Sequence, residues 1–200
     1  MKRCYGAWAP PAHLLLCLLL LAACGGKDTG APDIPPPPPA TDPTKVIWQA
    51  DPQGLRLRIT TSGDLNKQDG VPLGLSLCLY QLGDKVRFEA LAQTASGLDS
   101  LLDCAVDKAD ARSAKEFLLQ PGQSLEMTLE RAEQAKYLAV VAGYFHLKPD
   151  LSTFVFPYLL HSETEGWIPF FRDTVYSAAQ MDIIINLNET SVDVKGVERE

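Results

Sequence analysis

Short segments in which apolar and polar residues alternate are the feature that most constrains how this chain folds. In LRLRIT, residues 55–60, aliphatic side chains alternate with two arginines and a threonine, and LSLCLY (75–80) and SLEMTLE (124–130) repeat the period of two. Successive side chains of an extended strand point to opposite faces of a sheet, so this period predicts three half-buried β-strands.

Three further segments are apolar enough to complete a β-sheet core. YLAVVAGYFHL (137–147) is almost continuously apolar and predicts a central strand that is buried on both faces. TFVFPYLL (153–160) contains Pro157, which cannot donate a ladder hydrogen bond and therefore favours an edge or a bulge. MDIIINLNETSVDV (181–194) is the last segment, and many short strands at this spacing are typical of a two-sheet sandwich.

One region departs from the strand pattern. In KVRFEALAQTASG (85–97) the apolar residues recur with helical spacing, and Asp84 is placed to cap the start while Gly97 is placed to close the end. LDSLLD (98–103) predicts a second short helix. The expected fold is therefore mainly β, a two-sheet β-sandwich with a short helical insertion after the second strand.

The amino-terminal end has the layout of a secretory signal. Two basic residues precede a compact apolar stretch centred on LLLCLLLL, and two alanines precede Cys24. The apolar stretch is shorter than the roughly 20 residues that a membrane-spanning helix needs. Residues 1–23 are therefore predicted to be a signal peptide that is removed.

The sequence LAAC, residues 21–24, resembles the bacterial lipobox. In that motif the cysteine thiol receives a diacylglycerol, the leader is cut before the cysteine, and the freed amine is acylated. A plain secreted protein with a chance cysteine is the alternative. The resemblance identifies Cys24 as a lipid anchor, and Gly25 after it, in place of a retention aspartate, implies the periplasmic face of the outer membrane.

Residues 24–44 are predicted to be a proline-rich flexible linker between the lipid and the folded part. The segment has no apolar periodicity and contains five consecutive prolines, 35–39, so it cannot bury enough surface to fold and favours extended polyproline II. A ligand for a proline-recognition domain is the alternative. Residues 45–200 have the length of one domain with one proper core.

Charge and motif content exclude several classes of function. Removing the signal peptide takes away two basic residues and leaves 16 basic against 25 acidic ones, a formal charge of −9, whereas a nucleic-acid binder would show a basic face. The chain has no HExxH, GxSxG or glycine-rich phosphate motif, and no cluster of His, Cys and carboxylates with metal-ligand spacing. We therefore expect no catalytic residue, metal, cofactor or small-molecule substrate; an enzyme with a site assembled from distant residues is the alternative.

Two cysteines remain in the folded part after processing, Cys78 and Cys104. In an oxidising compartment such a pair can form a disulfide, which here closes a loop of about 27 residues and is worth roughly 3–4 kcal/mol on a chain-entropy estimate. Two separate buried thiols are the alternative, because spacing along the sequence does not show whether the two Cα atoms approach each other.

The loop LNKQDGVPLG, residues 65–74, joins the first two predicted strands. It is longer than the roughly two to five residues favoured for a hairpin connection. It interleaves three apolar residues with polar ones on what should be a surface loop: Leu65, Val71 and Leu73. Either these side chains tuck back into the end of the sandwich, or the loop presents a binding surface.

The order of these motifs resembles one family. A lipobox, a proline-rich spacer, LN…GxPL, LCLYQLGD…F, LxPG (119–122) and LAVVAGYF follow one another, which is similar to the TssJ family, the SciN- and VasD-like outer-membrane lipoproteins of bacterial type VI secretion. The likeness covers roughly residues 55–147, and YQL (80–82) is its most specific part. Cys78 stands where the family often has an arginine.

The resemblance implies a transthyretin-like β-sandwich. It also implies that the sandwich binds the periplasmic C-terminal domain of the inner-membrane protein TssM and so anchors the secretion complex to the outer membrane. In the family, the loop between the first two strands contributes to that contact. The implied partner-binding residues of this chain lie in that loop: Leu65, Asn66, Asp69, Val71 and Leu73. The alternative is a transthyretin-like periplasmic lipoprotein that binds a small ligand or peptidoglycan.

Overall fold

The fold is built from strands, as the alternation predicts, in a computed structural model that describes residues 35–166 and 172–199. The strands are β1 (Asp51–Thr61), β2 (Leu75–Leu82), β3 (Ala111–Leu119), β4 (Ser124–Arg131), β5 (Tyr137–Ala142), β6 (Thr153–Pro157), β7 (Leu160–Glu165), β8 (Asp173–Ala178), β9 (Met181–Leu187) and β10 (Val192–Glu198). The helices are α1 (Val86–Ala92), α2 (Ala95–Leu102) and the single turn α3 (Pro149–Ser152), and a short 3-10 helix (Pro43–Lys45) precedes β1.

Two four-stranded sheets form a sandwich. One sheet has the strand order β10-β9-β1-β4 and the other has the order β3-β2-β5-β6, while β7 and β8 form a separate hairpin ladder. The pairing of β1 with β9 is parallel, and the other strand pairs are antiparallel. Aliphatic side chains from both four-stranded sheets meet in one buried cluster, which we call the sandwich core. The predicted fold class, a mainly β two-sheet sandwich with a helical insertion after the second strand, is confirmed.

Strand β2 is buried on both of its faces. The leucines that alternate along it point into the sandwich core, whereas Cys78, Tyr80 and Leu82 point to the other side of the sheet. There they meet apolar residues of α1 and α2, including Phe88 and Leu101, in a second cluster that we call the insertion core. The helical insertion is therefore a lid over the outer face of the β3-β2-β5-β6 sheet.

The helix boundaries differ from the prediction at Gly97. Asp84 Oδ1 accepts a hydrogen bond from the Val86 N–H at 2.7 Å, as expected for the start of α1. Gly97, however, does not end that helix but lies in the first turn of α2, where its N–H donates to Thr94 Oγ1 at 3.0 Å. A Cβ at Gly97 would lie 2.0 Å from the Leu91 carbonyl oxygen, so this glycine permits the close contact between the two helices.

Several strand boundaries differ from the sequence-based expectation. Strand β5 ends at Ala142, so residues 143–148 form a loop rather than strand. The segment 181–194 is not one strand but two, because the Asn188 N–H bonds to the Ser191 carbonyl at 2.8 Å and turns the chain back as a hairpin. Strand β6 is an edge strand that ends at Pro157, as predicted from the proline.

The chain is fastened to the sandwich before β1 begins. Ala40 exchanges two backbone hydrogen bonds with Tyr176, at 2.9 and 2.7 Å, and the Trp48 carbonyl accepts the Gln134 N–H at 2.6 Å. The buried guanidinium of Arg131 lies 5.7 Å from the centre of the Trp48 ring, a cation–π contact. No helix among the described residues is long and apolar enough to span a membrane.

Candidate partner-binding surface

The loop that joins β1 to β2 is closed by a tight turn at its tip. The backbones of Gln68 and Val71 exchange hydrogen bonds at 3.0 and 2.8 Å. Between them, Asp69 and Gly70 both have positive φ, 49° and 82°. Two consecutive left-handed residues in an Asp-Gly pair are the signature of a type I′ turn. The long loop is therefore a small hairpin that projects from the end of the sandwich.

Leu65 and Asn66 lie at the base of this loop and are buried. The Leu65 side chain has no exposed surface and belongs to the sandwich core. In this structure it cannot contact a partner directly, which corrects the expectation that it is an exposed apolar anchor. Of the two alternatives considered for the apolar residues of the loop, tucking into the sandwich applies to Leu65.

Asn66 joins three loops at this end of the molecule. Its backbone adopts a left-handed conformation, φ 47°, and its N–H donates to the Glu189 carbonyl at 2.9 Å. Its side-chain Nδ2 donates to the Gly74 carbonyl at 3.3 Å, and its Oδ1 accepts the Phe145 N–H at 2.7 Å. Asn66 is therefore a positioning residue between the β1–β2, β5–β6 and β9–β10 connections, rather than an exposed contact.

The other predicted contact residues are exposed, and a third apolar side chain joins them. Val71 is 57% exposed and Leu73 is 37% exposed. Phe145, which Asn66 holds through its backbone, is also 57% exposed. We call Val71, Leu73 and Phe145 the loop-end patch. Each of the three lies on a segment that is hydrogen-bonded to the buried base of the loop.

Acidic side chains outnumber basic ones, three to two, in the three loops that Asn66 joins. Asp64, Asp69 and Glu189 are exposed, and Lys67 pairs with Asp64 at 2.9 Å. The hydrogen bond from that ammonium to Asp64 raises the pKa of Lys67. We call Asp64, Asp69 and Glu189 the acidic rim; Lys67 and Lys148 are the two lysines in the same loops. An apolar patch with an acidic rim is suited to a partner that is apolar at its centre and basic at its margin.

Sequence reasoning missed Phe145 because it placed this residue within a strand. The run YLAVVAGYFHL reads as one apolar segment, but β5 ends before Gly143. A Cβ at Gly143 would lie 3.2 Å from the Ser76 carbonyl oxygen. The glycine was the available signal, since an isolated glycine in a strand pattern often marks the point where pairing stops.

The remaining predicted sites divide into two groups. Cys24, the predicted lipid anchor, lies outside the residues that the structure describes. Cys78 and Cys104 are unbridged thiols, the first buried and the second half-buried. The bridge between them therefore stays a prediction.

The described part of the chain contains no group of three or more His, Cys, Asp or Glu side chains that could hold a metal ion. A cleft of about 550 Å³ lies beside α1, where a small ligand would be sought. Two of its charged side chains, Arg87 and Asp110, pair with each other at 3.2 Å, and Asp84 and Arg112 also line the cleft.

Comparison with known families assigns the chain to a class of bacterial secretion lipoproteins. The model of one family, described as type VI secretion lipoprotein, VasD, EvfM and TssJ, matches residues 53–186, more than half of the chain. The chain belongs to this type VI secretion lipoprotein family. The family is one of structural lipoproteins and not of enzymes. No curated protein matches the chain by sequence.

Solved structures share the fold. A crystal structure of the type VI lipoprotein TssJ1 from Pseudomonas aeruginosa superposes with a TM-score of 0.54 at 21% identity, covering 75% of this chain and 100% of that one. A chain of a type VI membrane complex superposes with a TM-score of 0.50 at 21% identity, covering 72% and 99%. Lip from Serratia marcescens, a membrane-bound component of the type VI system, gives 0.50 at 16% identity, covering 70% and 96%.

Proposed function

We propose that this protein is an outer-membrane lipoprotein, acylated at Cys24, that binds the periplasmic C-terminal domain of TssM through the loop-end patch. It thereby ties the type VI secretion membrane complex to the outer membrane. The observation that carries the proposal is that Val71, Leu73 and Phe145 are exposed apolar side chains on loops whose bases are buried and hydrogen-bonded.

The support for the patch is the contrast between its rigid base and its exposed tip. A contact surface that is ordered before binding loses less conformational entropy when the partner arrives. Leu65 packs in the core and Asn66 cross-links the loops, so the tip is held in place by groups that the partner does not touch. A few apolar anchors of this kind commonly dominate an interface.

The acidic rim has a separate role in this proposal. Exposed rim charges act mainly on the association rate and on its salt dependence, and less on the final affinity. We therefore expect association with TssM to slow as ionic strength rises, with a smaller effect on dissociation. A TssM surface with basic residues around an apolar depression would fit.

The support for the anchor is the lipobox together with family membership. Cys24 follows two small residues directly, and the family is one of lipoproteins. A multiply acylated cysteine supplies the two or more chains that stable membrane attachment requires. The linker after Cys24 then lets the sandwich reach a partner away from the membrane surface.

Binding to the soluble C-terminal domain of the cognate TssM tests the patch. We expect Val71→Asp to weaken the affinity at least about tenfold, because it places a charge in an apolar contact. Val86→Asp is the matched control, since Val86 is 68% exposed on α1, away from the loop. Titration calorimetry measures the affinity of both variants for the TssM domain. Equal affinities of the two variants would refute the loop-end patch as the binding surface.

A second pair of variants tests the residue that sequence reasoning missed. Phe145→Ala removes an exposed aromatic ring from the patch, and we expect it to weaken binding by about tenfold or more. Val197→Ala removes a 44% exposed side chain from the far end of β10 and should leave the affinity unchanged. If both variants bind as the parent does, Phe145 is not part of the contact.

Intact-mass measurement on the protein from its native membrane tests the anchor. We expect a mature chain that starts at Cys24 and carries acyl chains. Cys24→Ser should leave the sandwich folded and able to bind TssM in solution while removing it from the outer membrane. A mature chain that starts elsewhere, or an intact leader, would refute the anchor but not the patch.

A further inference from the structure

Cys78 and Cys104 lie side by side under the helical insertion. Cys78 is on the insertion-core face of β2 and is fully buried, and Cys104 is the second residue after the end of α2. The Cys78 thiol lies 3.6 Å from the carbonyl oxygen of Leu102, two residues before Cys104, and both cysteines belong to the insertion core. The two thiols are therefore neighbours in the structure, although 25 residues, including two helices, separate them along the chain.

The local structure directs Cys104 towards β2. The last carbonyls of a helix lack partners within the helix. At the end of α2, Leu101 O accepts the Tyr80 hydroxyl at 2.5 Å and Leu102 O accepts the Cys78 thiol at 3.6 Å. The chain then reverses at Cys104, which has φ 54°. A residue other than glycine adopts this conformation only where its surroundings hold it.

The surroundings of the pair exclude two other uses. The described residues offer no third or fourth ligand, so the two thiols do not form part of a metal site there. Burial raises the pKa of both thiols, which keeps them protonated and makes them poor nucleophiles for an external substrate. Two neighbouring thiols with no other partner are suited to forming a disulfide with each other.

We propose that Cys78 and Cys104 are joined by a disulfide in the exported protein, so that the end of α2 is covalently fixed to the middle of β2. The inference rests on the periplasmic location proposed above, because thiols in a reducing cytosol stay reduced. The bond would close the segment that contains α1 and α2 into one covalent loop. The helical insertion would then be unable to leave the sheet while β2 remains paired.

Formation of the bond requires a donor disulfide, such as that of a periplasmic thiol oxidase. Before the insertion covers β2, the Cys104 thiolate attacks one sulfur of the donor, forms a mixed disulfide and releases one donor thiolate. The Cys78 thiolate then attacks the Cys104 sulfur, forms the internal bond and releases the second donor thiolate. The two protons lost by the cysteines pass to the donor, which leaves as a dithiol. Because Cys78 is fully buried, oxidation is expected during folding, before the insertion covers β2.

Peptide mapping of the full-length, exported protein tests the bond. The protein is alkylated and digested with trypsin without reduction. We expect one species in which the peptide 68–85 is joined to the peptide 88–108, lighter by two hydrogen atoms than the sum of the free peptides. Cys24 lies on neither peptide, so the result does not depend on its state. Alkylated Cys78 and Cys104 in the unreduced digest would overturn the inference.

Thermal unfolding with and without a reductant gives a second readout. We expect reduction to lower the Tm of the parent by about 10 °C, as the chain entropy of a loop of this length predicts. The double variant Cys78→Ala, Cys104→Ala should show no response to the reductant. If that variant does not fold, the effect of the reductant on the Tm of the parent still tests the disulfide. An unchanged Tm would mean that the parent has no disulfide.

The outcomes separate this inference from the proposed function. Free thiols on a lipidated, outer-membrane protein would overturn the bond and leave TssM binding untouched. Free thiols on an unlipidated cytosolic chain would overturn the bond and the proposed location together. A bridged protein that fails to bind TssM would support the bond and count against the patch.

Discussion

Two leucines of the β1–β2 loop differ in burial, although their backbones are joined by a hydrogen bond. The Leu73 N–H donates to the Leu65 carbonyl at 3.0 Å. Leu65 is fully buried in the sandwich core, whereas Leu73 is exposed at the tip side of the loop. The residue type and the loop are the same, so the difference comes only from which side of a narrow hairpin each residue occupies.

This contrast shows how a surface loop can be both ordered and available. Residues 62–67 fasten the loop by burying Leu65 and by the three-way bonding of Asn66. Residues 68–74 bring apolar side chains to the surface on a closed turn. Burial on one side thus provides the rigidity that makes exposure on the other side useful for binding.

Leu65→Ala should have the largest effect on stability of the substitutions in this loop. Removing three buried carbons and leaving a cavity is expected to lower the free energy of unfolding by about 3 kcal/mol. Leu73→Ala is the matched control, and its cost should be smaller, about 1 kcal/mol, because the side chain is 37% exposed. Urea denaturation measures both, and equal losses would mean that the two leucines are not in different environments.

Asn66→Ala should have the next largest effect. It leaves the Phe145 N–H and the Gly74 carbonyl without their partner, which is expected to cost about 2 kcal/mol. It also frees Phe145, so TssM binding should weaken although Asn66 itself is buried. Asn66→Gly separates the loss of the hydrogen bonds from backbone strain at φ 47°. Glycine adopts this φ without strain but restores neither hydrogen bond. Faster hydrogen exchange at the Phe145 amide would show directly that its hydrogen bond to Asn66 is lost. An unchanged exchange rate would contradict the positioning role of Asn66.

Gly70→Ala sharpens the comparison within the turn. The φ of 82° at Gly70 is unfavourable for a residue with a Cβ, and the substitution should cost about 1 kcal/mol. Gly63 is in the same loop, has open space around its Cβ position and does not have this positive φ. Gly63→Ala should therefore be neutral or slightly stabilising. Equal Tm values for the two variants would argue against the type I′ turn.

Lys67→Ala should have the smallest effect. Its pair with Asp64 is exposed at the surface, and such pairs are screened by water and salt. We expect no measurable change in the midpoint of urea unfolding. A clear loss of stability would mean that this ion pair, rather than Leu65 and Asn66, holds the loop in place.

The strand pattern of the sequence predicts the sandwich but not how deeply each strand is buried. In LSLCLY the alternation predicts the three leucines on one face, and that face lies in the sandwich core. The opposite face, with Cys78 and Tyr80, is also buried, because the helical insertion covers it. A period of two shows which face of a strand is more apolar. Whether another element covers the opposite face depends on residues far along the chain, so the strand segment itself does not show it.

Strand β3 was missed for a related reason. Its middle residues Lys115 and Glu116 are charged and at the open edge of the sheet, so the apolar pattern is reduced to Phe117 and Leu119 near one end. Edge strands tolerate and favour such charges. The loop site was only partly predictable, because Leu65 and Leu73 look alike in sequence and the turn at Asp69 and Gly70 decides which one faces the core.

The fastening of the chain ahead of β1 has a mechanical consequence. Tension applied at Pro35 would reach the two Ala40–Tyr176 bonds first, since they form an isolated bridge with no neighbouring rungs to share the force. Their rupture would free residues 40–45, whose contour length is roughly 20 Å. The load would then pass to buried Val46 and to Trp48, which bonds to Gln134 and contacts Arg131. The junction ahead of β1 would therefore extend under tension while the two sheets stay paired.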